Sequence, residues 1–304
     1  MDLDHIVIAV RDLAAAERNY TRLYAREPSW RGRHPTYGTA NVLYRLDNTY
    51  MELLALGEGD SPWSQALRGH LERRGEGVYA IAIGTGDIDA TVANARARGL
   101  DVADAAAGDG VDEISGATRA WRNARIDPKT TRGVIAFFIQ HDSPPDALPL
   151  ALPTADRGVV TGVDHTVVIS SQIDASLALW RDAVGLDLRR TVEWSPERRL
   201  HFLRLGDSIL ELAGAPVAPP ATRRGGEALT PDPRPSTPEA GRGGDQLWGV
   251  SYRVDDVAAT VERLRASGIE VSDPRTGRAD GTIVADLKPG FSHDVRTLFL
   301  QKTP

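Results

Sequence analysis

This sequence predicts an α+β protein built from four βαβββ modules, paired into two half-barrel cup domains. Three observations lead there. The segments LDHIVIAVRDL (3–13) and VDHTVVISSQI (163–173) align without a gap, each with a histidine, His5 or His165, at the head of an apolar run. About 46 residues later each of these units closes on a second apolar run holding one acid, Glu52 in TYMELLAL and Glu211 in SILELAG. A strand-like run leading into an amphipathic helix begins four times along the chain.

The modules follow in order. The first (1–58) has an apolar strand over 3–10, the helical pattern LAAAERNYTRLY, and strand-like pieces near 26–33, 40–47 and 49–56. The second (77–142) opens with VYAIAIG and the helix ending at ARGL, where Gly-Leu predicts a cap, and closes with RAWRNARI and GVIAFFIQHD. The third (161–214) carries the helix DASLALWRDAVGL. The fourth (247–304) has WGVSYRV, the helix VAATVERLRASGI, then TIVADL and RTLFLQK. Pro-rich residues 143–160 read as the linker between domain 1 (1–142) and domain 2 (161–304). Residues 215–245, with almost no apolar content, read as a disordered insertion or an active-site flap.

Bulk properties exclude several classes. The chain has 304 residues, enough for two real cores. Its net charge of −6 argues against nucleic acid, which needs a basic footprint. It has no cysteine, so disulfides, thiolate metal sites and a cysteine nucleophile are ruled out. No apolar run reaches the roughly 18 residues of a membrane span, and the start MDLDHIVIAV has no basic region of a signal peptide. The expectation is a cytoplasmic protein with a small-molecule substrate, with a homodimer as a candidate assembly. No phosphate loop, dinucleotide fingerprint or nucleophile elbow is present.

A carboxylate inside an apolar run is costly unless it is paired or bound to metal. Finding it twice, each time with a histidine at nearly the same upstream distance, suggests a duplicated metal-binding frame. Strand alternation lets His5, Glu52, His165 and Glu211 face the cups while Ile6, Met51, Thr166 and Leu210 face the helices.

The βαβββ repeat resembles the vicinal oxygen chelate superfamily, which includes glyoxalase I, extradiol dioxygenases and bleomycin-resistance proteins. The first half is most similar to the glyoxalase-like domain family. RGRHPTYGTANVLYRLDNTYMELLAL (31–56) resembles that family's Gly-Arg-His-Pro turn, Gly-Thr-x-Asn strand entry and Tyr-x-Glu-Leu closing strand, and FFIQHD (137–142) resembles the domain's end. The resemblance implies metal ligands on the first and last strands of paired modules: His5 and Glu52, and His165 and Glu211. The even modules depart from it, with Ala80 and Gly249 at the histidine positions and Gln140 and Gln301 assigned to the acid positions. A set of His, Glu, Gln and water would suit a divalent Fe2+, Mn2+, Ni2+ or Zn2+.

His34, in the Gly-Arg-His-Pro turn, and His201, ten residues before Glu211, are candidates to complete a site. The alternatives are a turn cap bonded to Tyr37 or Asn41, and a half-buried strand histidine. Asn41 and Trp194 join them as substrate-binding candidates. His70, His141 and His293 read as surface residues. Arg119, Arg122 and Arg125 alternate with Trp121 and Asn123 on one strand, as a solvated face or as a grip for an anion. The implied activity is a metal-dependent isomerase or lyase that stabilises an enediolate or oxyanion, with Glu52 or Glu211 as base. The alternatives are an extradiol-type oxygenase and a non-catalytic protein that sequesters an aromatic compound.

Overall fold

Two eight-stranded sheets carry the molecule, one for each half of the sequence. The computed structural model describes residues 1–195, 198–214 and 244–303. The Trp194 side chain and residues 215–243 of the expected insertion lie outside the described part.

The first module is β1 (Asp2–Ala9), α1 (Leu13–Tyr24), β2 (Trp30–His34), β3 (Thr39–Arg45) and β4 (Tyr50–Leu56). Helix α2 (Pro62–Arg74) follows, and then the second module: β5 (Gly77–Gly84), α3 (Ile88–Ala97), β6 (Ala106–Asp112), β7 (Thr118–Arg125) and β8 (Ile135–His141). The second half repeats the plan. It runs through β9 (Val160–Ser170), α4 (Ile173–Ala178) with a π-helical continuation over Leu179–Val184, β10 (Asp187–Ser195), β11 (Arg198–Leu205) and β12 (Ser208–Gly214). Its last module is β13 (Asp245–Val254), α5 (Val257–Ala266), β14 (Arg275–Thr276), β15 (Thr282–Asp286) and β16 (Arg296–Lys302).

Modules pair one with two and three with four. Antiparallel β1–β5 and β9–β13 ladders join them. The first sheet then closes into a barrel, because β2 also meets β6 through Gly32–Asp112 and Arg33–Val111. The two expected cup domains are thus present, the first of them closed. The second sheet stays open, with β10 and the two-residue β14 at its edges. Alternation sets the faces. Ile6, Ile8, Met51 and Leu53 pack toward the helices in one large core with Tyr20, Leu23 and Tyr24 of α1. Their neighbours on β1 and β4 point into the barrel. That core crosses between the halves, where Tyr24 donates to the Tyr252 hydroxyl at 2.9 Å.

Strands β6 and β14 and helix α2 are among the elements that escape the sequence reading. Strand β6, AAGDGVD, lacks β-branched residues except Val111 and is held by partners on both sides. Helix α2 did carry a local signal: Ser61 is its N-cap, bonded reciprocally with Ser64, and Pro62 occupies the first turn. Leu67 and Leu71 of α2 pack on Ala9, Leu54 and Tyr79, so the helix lies over the barrel.

Ser61→Ala removes this cap and the Ser61 hydroxyl bond to the Tyr37 carbonyl. It is expected to lower stability by about 1 kcal/mol, read as a lower urea midpoint at unchanged slope. An unshifted midpoint would mean that α2 does not depend on its cap.

Candidate functional site

The barrel of the first domain holds a partly open cavity of about 120 Å3. Its polar wall is built on three neighbouring strands. His5 on β1 and Glu52 on β4 both point inward, with His5 Nε2 3.5 Å from Glu52 Oε2. Asn41 on β3 donates its amide to Glu52 Oε1 at 2.7 Å. The same amide lies 3.3 Å from His34 Nε2, and the other His34 nitrogen lies 3.0 Å from the Thr39 hydroxyl. His34 therefore both closes the turn network and lines the cavity. Burial lowers its pKa.

Asp4 orients His5. Its carboxylate lies 2.6 Å from His5 Nδ1 and 2.9 Å from His141 Nε2. Burial pushes the Asp4 carboxyl up, but the bonds from His141 and His5 outweigh it and hold the group well below the ordinary carboxylate range. An ionised Asp4 accepts the Nδ1 proton, so this partner assigns Nε2 of His5 to face Glu52. The His5 ring stacks on Tyr50, with centroids 4.4 Å apart, and meets the edge of Phe137 at 5.5 Å.

The remaining wall is aromatic and cationic. Trp30, Tyr37, Trp63, Tyr79 and Trp121 line it with Tyr50 and Phe137. Gly32 is required beside Trp30, because a Cβ there would collide with the indole nitrogen. From β7, residues Arg119, Trp121, Asn123 and Arg125 point inward, whereas Arg122 points out and pairs with Asp89 at 2.9 Å. Strand alternation thus divides the three arginines instead of placing them on one face. Arg119 also lines a second cavity of about 220 Å3, together with Asp4, His141 and the linker residues Pro144 and Pro145.

The second domain repeats the pair. His165 Nε2 lies 3.5 Å from Glu211 Oε2, and Nδ1 lies 3.0 Å from Asp164. Here Nε2 already has the Ser251 hydroxyl at 2.7 Å. Asp164 is held below its ordinary range, burial opposing the effect of His165, Lys302 and Arg253.

Three expected site residues lie elsewhere. Gln140 accepts the Ile88 amide at 2.9 Å and Gln301 accepts the Val257 amide at 2.9 Å, so both tie down the first turns of α3 and α5 on the helical face. His201 shares a face with Leu203 and Leu205, in the helix-side core, and bonds Thr191 at 2.9 Å. Its cross-strand neighbour is Leu212, while Phe202 is paired with Glu211. Side-chain period two turns His201 away from the cup. His141, read as a surface residue, is instead half-buried against Asp4.

The ladders identify the true counterparts of the acids. Val7 pairs with Glu52, and the matching positions counted from the helix caps Asp12, Asp87 and Asp256 pair Ala82 with Phe137 and Ser251 with Leu298. At the ligand positions each cup therefore offers one His and one Glu, with Ala80 and Phe137, or Gly249 and Leu298, at the others; His34, which also lines the first cavity, is engaged by Thr39 and Asn41. A separation of 3.5 Å would suit neighbouring ligands of one ion, but two protein donors fall short of the three or four that hold catalytic or structural zinc. Among the described residues no group of three His, Cys, Asp or Glu side chains could hold a metal. The donor set does not fit a resident metal ion.

A family model described as a glyoxalase-like domain matches residues 3–161. A second, described as the glyoxalase/bleomycin resistance protein/dioxygenase superfamily, matches residues 164–285. Among solved structures, a triple variant of 4-hydroxymandelate synthase from Streptomyces coelicolor aligns over 99% of this chain and 92% of its own, at TM-score 0.65 and 14% identity. A hypothetical protein from Staphylococcus aureus covers 98% of each chain at TM-score 0.64 and 14% identity. The Mn(II)-bound glyoxalase from Novosphingobium aromaticivorans covers 100% and 82%, at TM-score 0.61 and 15% identity. At such identities the likeness is one of fold. No curated protein matches the sequence.

Burial lowers the pKa of His34, His201 and His70, the last to about 4. The unfolded chain then takes up protons first as pH falls. Their contribution is complete above the unfolded value of about 6.5 and is lost toward pH 4. Melting temperature is expected to fall across that window, more gently in His70→Gln. A flat profile would contradict the buried, neutral assignment.

Proposed function

From membership in the glyoxalase-like domain family, a vicinal oxygen chelate fold, we propose that the first-domain barrel is an enzyme active site. It moves a proton on a small oxygenated molecule in an isomerase- or lyase-type reaction. The supporting observation is the line Asp4–His5–Glu52, with His5 and Glu52 in the wall of the barrel cavity. Asn41 occupies one Glu52 oxygen, which leaves Oε2 as the free base. Oε2 takes a proton from a carbon or hydroxyl next to a carbonyl, and His5 Nε2 receives or returns it. The imidazolium so formed is stabilised by Asp4. Tyr50 and Phe137 exclude water around the ring and preserve the strength of these charges. The second domain has less freedom to do the same, since Ser251 already engages His165.

The aromatic lining favours a second reading, a protein that sequesters an aromatic compound without turning it over. Solvent-deuterium exchange into α-hydroxy and α-keto acids, followed by NMR, separates the two. Glu52→Gln is expected to cut exchange by about 100-fold or more, His5→Ala to cut it and shift its pH profile, and Glu211→Gln to leave it unchanged. Binding without exchange supports sequestration. The metal-dependent form of the reaction has its own check: elemental analysis is expected to find less than one equivalent of divalent ion per chain. Stoichiometric metal that is lost in His5→Ala would restore that form.

A further inference from the structure

We infer that the first-domain cavity takes a monocyclic aromatic carboxylate, its carboxylate on Arg119 and its ring among the surrounding aromatic side chains. This deepens the proton-transfer reading of the same cavity and rests on it for the reaction.

Arg119 is 8% exposed, and among the described residues no acid forms an ion pair with it. Its guanidinium lies 5.8 Å from the Trp30 ring and 5.3 Å from the Tyr50 ring, and it reaches the Tyr50 hydroxyl. Cation–π contact offsets part of the cost of burying the charge, but a buried cation without a counter-charge remains costly. Outside the barrel the same strand pairs its arginine, Arg122, with Asp89. Inside, Arg125 adds a second guanidinium, 4.5 Å over the Trp63 ring. Among the described residues Glu52 is the one acid lining this cavity. Its lining therefore holds two guanidinium groups and one carboxylate, and that carboxylate is already engaged by Asn41. Arg119 also shares the second cavity with the ionised Asp4, but the first cavity's own lining is net positive, which favours an anionic ligand.

The planar guanidinium fork matches a carboxylate bidentately. Trp30, Tyr50, Trp121 and Phe137 offer ring faces and edges to a flat ligand. The volume of about 120 Å3 is of the order of the roughly 150 Å3 apolar cavity that holds benzene, which limits the ligand to a single ring, and the cavity is not fully closed, so a substituent can extend beyond it. Repulsion by Glu52 keeps the acid end at Arg119 and leaves the rest of the ligand facing the base.

The probes are benzoate and phenylacetate, with benzamide and phenylacetamide as neutral isosteres. They are titrated into the full chain by calorimetry and by tryptophan fluorescence. The acids are expected to bind at least about tenfold more tightly than the amides. Arg119→Gln should erase the difference, Arg119→Lys should keep part of it, and Arg122→Gln should leave it intact. Because no acid among the described residues pairs with Arg119, Arg119→Gln should melt no lower than the parent protein. Equal binding of acid and amide, or a preference that survives in Arg119→Gln, overturns the inference. So does failure of Arg119→Gln to fold, which would make the cation structural. Acid binding without deuterium exchange would sink the proton-transfer reading alone. Exchange on neutral carbonyl compounds, with no acid preference, would sink this one alone.

Discussion

The short contact between Asp4 and His5 is the constraint on which the rest of the site depends. Adjacent residues on a strand point to opposite faces, yet here the Asp4 carboxylate reaches the inward imidazole of its neighbour while His141 binds its other oxygen. That arrangement fixes the ring plane and the tautomer, and it aims Nε2 at Glu52. With the ring free to rotate, the histidine and the carboxylate would be two isolated polar groups in an aromatic chamber, each costly to bury. With the ring fixed they form one couple that can share a proton.

The duplicated domain shows what this arrangement is not. His165, Asp164 and Glu211 reproduce the same geometry. Counting along the matching strands, however, His141 of β8 corresponds to Lys302 of β16, and Asp164 is flanked by Lys302 and Arg253. Those are permanent cations at neutral pH, while the first domain places an imidazole there. The first sheet is also closed and the second open. One copy holds a barrel cavity with an imidazole beside the aspartate. The other retains the pair within a fixed ionic setting on an open face.

Much of the architecture was legible because it repeats. The two His-headed strands and four strand–helix starts are periodic signals, and the core faces of β1 and β4 follow from alternation. Strand β6 was not legible, since Ala, Gly and Asp form it through pairing and not through propensity. Within the site, His5 and Glu52 could be read because an isolated acid in an apolar run is conspicuous. Gln140 and Gln301 were misplaced by three residues, from the strand positions of Phe137 and Leu298 to the residues that hold the next helices. Spacing along the chain cannot register a parallel ladder, and three residues on a strand invert the face. Asp4, His141 and Arg119 depend on contacts between distant strands. Their sequence signal, polar residues at the ends of apolar runs, is shared with ordinary surface positions.

Helix α2 sits between the two modules of the barrel and adds Trp63 and Leu67 to the cavity wall without belonging to either repeat. No strand of the sheet is formed by it. Substitutions on its inner face can therefore resize the chamber while leaving the hydrogen-bonded framework and the Asp4–His5–Glu52 line in place. The size of the chamber and the Asp4–His5–Glu52 line are thus carried by separable parts of the chain, so natural drift or directed evolution can retune the first while the second stays fixed.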